Sequence, residues 1–452
     1  MPAMRLLFAT LGLPALIVSS LACGGGSQGT GGSASSQSTH SGSSTSGNGS
    51  GGAGGAVDIT PLDAPGISKS ASTVEESEPF VAASSDGRIA VAWIGIAPSG
   101  ISSVAYAFSK DDGATWTPPV TIAQPMNQLG TDPVMVADEK GDLYLAWLGY
   151  DITGPLPSKM RLYVARSGPG TTAFAPPVIA QDVTADLYDK PWITLTHAGT
   201  LVVSHTQSDN MTYSHAVVVT SKDGAAWSQG TLPGASARSL VYVCASRSTP
   251  RLFATYLSQA SPLEIAVQSS DDEGITWGPE RVVSGMDAVG FDGPTCVADG
   301  NDVWISYALG AGAVDASSFE HLTSVRVAHS KDGGATFQPA VDAHDPATGK
   351  LFLHPALALQ ADGSLNAFYY AGAAAGDPQG GLLSVRSTDH GATFAPSVVE
   401  HAPVALDLSR ADSAWLGDYF GVAHRDGHVH LAYVDNTSHV SHVSYRRIPV
   451  GK

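Results

Sequence analysis

Seven apolar runs in this chain open on a proline or an aromatic residue, and an ionisable side chain stands ahead of nearly every one. These are Glu78, Asp132, Asp189 with Lys190, Asp292, His354 and Asp418; only Val241, in the fourth run, breaks the series. Carboxylates gathered at one place raise one another's pKa, which suits general acid/base chemistry. The same oxygens would suit a hard cation such as Ca²⁺. An Asp at this place also has a local use, accepting backbone hydrogen bonds where a strand begins. The residue types alone leave all three uses open.

Such a series needs a repeating scaffold, and a second marker supplies it. An aromatic or His closes the following apolar run at a near-constant distance, in the pairs Pro79/Trp93, Pro133/Trp147, Pro191/His205, Tyr242/Tyr256, Pro294/Tyr307, Pro355/Tyr369 and Tyr419/Tyr433. Each pair brackets a strand, a Gly-containing turn such as Ser85–Gly87, and a second strand rich in β-branched or aromatic residues. Between a third and a fourth strand sits the string SKDDGATW at 109–116, which returns as SDDEGITW at 270–277, SKDGGATF at 330–337 and STDHGATF at 387–394. A copy one residue short, SKDGAAW, occupies 221–227, and an eroded one, SGPGTTAF, occupies 167–174. In this string Ser and Asp close a tight turn on the backbone, Gly takes a positive φ, Thr favours the next strand, and the aromatic packs on the sheet. The Asp residues are thereby structural.

Ser-x-Asp-x-Gly-x-Thr-Trp/Phe is the Asp-box pattern, and residues 57–452 resemble the Asp-box (BNR-repeat) β-propellers of the sialidase superfamily. The resemblance implies an all-β propeller of four-stranded blades. Sialidases have six blades, whereas the repeats here predict seven, with six-bladed closure as the alternative. The seventh unit, about 418–448, lacks an Asp-box and a fourth strand, so the segment Val57–Leu62 is predicted to pair there and close the ring. The family places its site opposite the Asp-box turns, on the face where the series beginning with Glu78 falls. It clamps a substrate carboxylate with three arginines and pairs a Tyr nucleophile with Glu and an Asp acid/base. In this chain the first inner strand, Glu78–Ala82, has no Arg, and the one Arg-Ile-Pro, Arg447–Pro449, lies at the far end. Arg161, Arg238 and Arg410 fall near the expected face, but none sits in a matching motif. If the chain is a sialidase-like glycoside hydrolase, Asp132, Asp189 and Tyr188 are the candidate catalytic residues. Tyr188 and Trp415 have two open uses, stacking on a sugar ring or plugging the barrel end.

The first 22 residues read as a signal peptide, with Arg5, an apolar run from Leu6 to Val18, and a small-residue cleavage site. Cys23 then stands where a lipid would be attached in a bacterial lipobox, although Ser20 replaces the usual Leu; secretion without lipid is the alternative. Residues 24–56, nearly all Gly, Ser, Thr, Ala, Gln and Asn, cannot bury a core and form a tether between residue 23 and the propeller. The expected place is the bacterial cell envelope, on the outer surface or the periplasmic side. With 41 acidic against 23 basic residues the chain is a poor partner for nucleic acid. Cys244 and Cys296 occupy equivalent places on neighbouring inner strands and are expected to be buried free thiols, the strands being placed too far apart to bridge. His424, His428, His430, His439 and His442 crowd the last unit without ordered ligand spacing, and read as a solvated strand pair. Three functions follow: a monomeric surface protein binding a carbohydrate or another extracellular ligand at an acidic mouth, with Ca²⁺ as a candidate cofactor; a glycosidase or other polysaccharide-cleaving enzyme; or a protein-docking scaffold.

Overall fold

A computed structural model describes residues 75–450 apart from 98–100, 124–127, 152–159, 183–186, 210–212, 235–237, 259–261, 311–315, 410–413 and residue 438. The predicted leader, Cys23, the tether and the closing segment Val57–Leu62 therefore lie outside the described residues. Seven antiparallel sheets follow one another along the chain, each a meander whose strands pair in sequence order. Six have four strands, and the last has three among the described residues: Gly421–Arg425, His428–Asp435 and His442–Pro449. This is a seven-bladed β-propeller, as the repeats predict. Apart from the 3-10 turn Ala316–His321, the described residues contain no helix. The ring meets itself where blade 1 touches blade 7: Glu76 N donates to Ser441 O at 3.0 Å, and Val443 N donates to Glu76 Oε2 at 3.2 Å.

The Asp-box strings fold as their chemistry requires. Gly113 N donates to Ser109 Oγ at 2.8 Å, Thr115 N donates to Asp111 Oδ1 at 2.8 Å, and Trp116 Nε1 closes onto Gly113 O at 3.1 Å. The same pattern recurs around Asp272, Asp332 and Asp389. Gly113 has a φ of 91°, and a Cβ there would lie 2.2 Å from the Tyr445 ring. Trp116 in turn meets that ring edge-on at 5.1 Å. The Asp-box aromatic thus packs against the preceding blade: Phe174 of blade 2 meets Tyr106 of blade 1 at 5.0 Å. Such edge contacts contribute roughly 0.5–1.5 kcal/mol each beyond area burial. Trp93 and Trp147, the aromatics at the ends of second strands, are fully buried between blades. Arg88, in the first turn of blade 1, bonds Gly141 O in the first turn of blade 2 and Ser167 Oγ in its eroded Asp-box. The Asp-box turns and the turns between first and second strands therefore share one face, as expected, and leave the opposite face to the inner-strand starts.

One expectation is overturned. Cys244 and Cys296 form a disulfide joining blades 4 and 5, with Cα atoms 5.8 Å apart. Inner strands converge on the axis more closely than equivalent positions on separate sheets suggest. Ser246 and Ala298, two residues further along, even make an isolated parallel bridge.

Candidate functional site

The inner strands of blades 1, 2, 3, 4 and 6 share a defect in pairing. Register breaks between Ser77 and Phe80, between Thr131 and Val134, between Ser239 and Tyr242, and between Leu353 and Ala356, with a matching break opposite Ser204 and Thr206 in blade 3. At each bulge one non-glycine residue takes a left-handed conformation: Glu78 (φ 49°), Asp132 (52°), Lys190 (47°), Leu240 (53°) and His354 (54°). In four of the five cases the next residue is proline. Such conformations cost on the order of 1–3 kcal/mol each and persist only where surrounding structure enforces them. The bulges turn the ionisable side chains inward. They also set the register of the fourth blade, where the residue equivalent to Glu78 is Leu240 rather than Val241.

Two of these bulge residues, Glu78 and Asp132, join Asp418 of blade 7 in meeting Lys190. Its Nζ, in a side chain only 2% exposed, lies 2.5 Å from Glu78 Oε1, 2.7 Å from Asp132 Oδ1 and 3.0 Å from Asp418 Oδ2. Blades 1, 2, 3 and 7 thus converge on one ammonium. Burial alone would pull the lysine's pKa down; Asp132, Asp418, Glu78 and Asp189 together outweigh it and hold the pKa well above the usual lysine value. Counting one ammonium against these four carboxylates, the cluster is acidic overall.

A second group lies at the bulge of blade 6. His354 Nδ1 sits 3.2 Å from Asp292 Oδ1, and the His354 backbone N donates to Asp292 Oδ2 at 2.7 Å. Asp292 Oδ1 also accepts from Gly293 N at 2.8 Å, which is the local strand-entry use foreseen for these aspartates. His354 Nε2 is buried and has no hydrogen-bond partner among the described residues. Phe319 meets the imidazole edge-on at 5.3 Å.

Beneath both groups, aromatic rings from four blades meet across the axis. Trp192 lies 5.0 Å from Phe80, 4.3 Å from Tyr242 and 6.0 Å from Tyr419. Lys190 Nζ stands 5.4 Å from the Tyr419 ring centre, and Tyr419 OH donates to Pro133 O at 3.1 Å. Burial first, then neighbouring carboxylates, raise the Tyr419 phenol well above its ordinary pKa. Burial likewise raises Tyr242 despite the opposing pull of Lys190. Both are neutral phenols and not ready nucleophiles. Sequence reading missed this floor, although Phe80 and Trp192 stand at the same place in their repeats, directly after the strand-opening proline, and signal it.

Of the other candidates, Asp189 acts on this centre and the rest that are described separate from it. Asp189 is 5% exposed and acts on Lys190 electrostatically. Tyr188 and Trp415 are buried, Tyr188 against His205 at 4.4 Å, so they plug rather than offer an open stacking face. Arg161 pairs with Asp182 at 3.1 Å. Arg238 is buried on Glu280 at 2.7 Å, bonds Leu232 O and Pro233 O, and lies 4.8 Å over the Tyr256 ring. Arg410 lies outside the described residues. His430 is buried, its pKa lowered to about 4 by burial, with Nδ1 2.7 Å from Tyr445 OH. It is a core histidine rather than part of a solvated pair, while His428 lies by Asp426 O and Arg447. Among the described residues no group of three or more His, Cys, Asp or Glu is arranged to hold a metal ion. In the Lys190 cluster the ammonium stands where a cation would.

Comparison with known proteins gives fold alone. No family model and no curated protein matches the chain. Among solved structures it is similar to a polysaccharide lyase, an ulvan lyase solved with a sulfated glucuronate–rhamnose ligand (TM-score 0.54, 11% identity, 84% of this chain and 94% of that one). It is similar also to a Hadza microbial sialidase (0.52, 14%, 83% and 66%) and to a protein of unknown function from Dyadobacter fermentans (0.51, 16%, 70% and 96%). The chain spans 66% of that sialidase's length. The architecture is that of the sialidase-like propellers.

Proposed function

We propose that this protein binds a carbohydrate at the mouth around Lys190, and that it is held at the bacterial envelope by a lipid on Cys23. The observation that carries the reading is the convergence of strained bulges from separate blades on one buried polar centre above an aromatic floor. Strain of this kind is characteristic of binding and catalytic sites, and aromatic surface combined with a few fixed polar groups is how small-molecule sites are built. The charge of the site narrows the ligand. Arg161 and Arg238 are committed to Asp182 and Glu280, and the mouth is acidic, so a neutral or amino sugar fits it better than a sialoside. The Cys244–Cys296 bridge supports an oxidising compartment outside the cytoplasm.

The test is a glycan-binding screen of the full-length protein in detergent against neutral, cationic and anionic oligosaccharides, with and without Ca²⁺. Binding of neutral or amino sugars is expected, weakened about tenfold or more by Asp132→Asn combined with Asp189→Asn. Lys190 keeps Glu78 and Asp418 in that variant, so its fold is retained. Binding unchanged by the pair of substitutions, or confined to sialosides, overturns the reading. A second reading, cleavage, is favoured by the Asp292–His354 pair, whose carboxylate faces Nδ1 and leaves Nε2 for proton transfer. New products in a mass-spectrometric turnover assay, lost in His354→Asn, would establish it. Neither binding nor turnover would leave a protein-docking scaffold.

A further inference from the structure

The opposite end of the axis carries a separate feature. Below the aromatic floor a channel of about 350 Å³ is walled mostly by apolar residues, such as Met135, Leu357 and Val422, and by the Cys244–Cys296 bridge. It opens on the Asp-box face into a wider vestibule of about 1050 Å³. Arg247, His424 and Arg425 line both spaces, with Glu139 beside them, so they form a collar where the two meet. Arg247 begins in blade 4 and reaches across to donate from Nη2 to Leu359 O in blade 6. Its side chain is exposed to the cavity yet surrounded by protein, and burial pulls its pKa down against a weaker opposing effect of Asp299. No carboxylate lies within ion-pair distance of Arg247 among the described residues. Burial first, then Arg247, lowers the pKa of His424, which places the imidazole within the guanidinium's field. Arg425 has two loose partners, Glu139 at 3.6 Å and Asp426 at 3.5 Å, whose own side chains are 91% and 79% exposed.

From this geometry we infer a second ligand site, for an amphipathic anion whose apolar tail fills the channel and whose head group is held by Arg247 and Arg425 at the collar. A guanidinium without a carboxylate, set inside a chain of net charge −18, is an unsatisfied fork for a carboxylate or similar oxyanion. The channel behind it, lined mostly by apolar side chains, accepts a short hydrocarbon, with a volume at the small end of small-molecule pockets, roughly 300–1,000 Å³. The site is independent of the mouth, which the aromatic floor separates from it.

The experiment uses the full-length protein and three probes of one chain length: decanoate, decanol and decyltrimethylammonium, followed by titration calorimetry. Decanoate is expected to bind one per chain, with decanol and decyltrimethylammonium at least about tenfold weaker, the factor of losing one charge-assisted hydrogen bond. Arg247→Gln should weaken decanoate by a similar factor. Ala423→Phe, which fills the channel from blade 7, should abolish binding, with both variants melting as cooperatively as the parent. Decanoate that fails to bind, binds no better than the cation, or is unaffected by both substitutions overturns the proposal.

Discussion

Replacing Lys190 by methionine keeps the length of the side chain and removes its charge. The three contacts at 2.5, 2.7 and 3.0 Å represent on the order of 18 kcal/mol of gross attraction at an effective dielectric of 20. Most of that is offset by desolvation of the four charges, several kcal/mol for each ion, and by repulsion among the carboxylates. What the substitution exposes is therefore the penalty of leaving Glu78, Asp132 and Asp418 buried without their counter-ion, about 3–5 kcal/mol. For a propeller of this size that corresponds to a fall in Tm of about 5 °C at pH 7.5. The sign of the pH dependence follows. Without Lys190, burial disfavours the charged form of the unpaired carboxylates, so the deficit shrinks as pH falls towards 5. In the parent the raised Lys190 pKa contributes stability that is fully present below the unfolded value of about 10.4 and is lost as pH rises through the folded one. Calorimetric melts of parent and variant between pH 5 and 8.5 read both effects. A variant melting within about 1 °C of the parent at pH 7.5, or a deficit that grows on acidification, would refute the account of the cluster.

Two further outcomes follow from the scaffold. Replacing both Cys244 and Cys296 by serine, or reducing the bridge, should cost about 4 kcal/mol by loop-closure arithmetic for a separation of 52 residues; equal denaturant midpoints with and without reductant would contradict this. In the Asp-box, the Thr336 hydroxyl and backbone, with Ser330, lower the Asp332 pKa to about 2. Asp332→Ala should therefore lower Tm at neutral pH, by less than Lys190→Met does. Because the folded pKa is depressed, the difference should vanish as pH falls through about 2, and acid melts that stay apart would rule this out.

The blades were legible because their markers are local. A Ser-x-Asp-x-Gly turn closes on its own backbone wherever it occurs, so four full copies and a second ruler located the sheets without tertiary information. The convergence of ionisable groups was legible for the same reason, each standing at a fixed place in its repeat. What could not be read was everything that depends on distance across the axis. Lys190 looked like one polar residue among several, yet it is the hub, because only the assembled ring brings Glu78, Asp132 and Asp418 to one point. The disulfide was missed because inner strands crowd together near the axis, a property of ring closure and not of the sequence around Cys244. The register of blade 4 slipped by one because Leu240 carries neither the charge nor the following proline that marks the other bulges. His430 was misread because burial against Tyr445 belongs to the third strand of its sheet and cannot be seen from the histidine spacing.

The rings of Phe80, Trp192, Tyr242 and Tyr419 divide the axis, so the propeller is no conduit. A solute admitted from the Asp-box side stops at Trp192 and must return the way it came; one captured at the mouth has no rear exit. Release on either side is set by how fast that one doorway clears, and a saturating occupant of one chamber leaves traffic through the other undisturbed. Within the partition the Tyr242 ring rests on Trp192, while its phenol feels the charges of Lys190 and Asp292. The Tyr242 ring also fills the space beside Gly293 where a Cβ would stand 2.4 Å from it, so the partition is packed shut on that side.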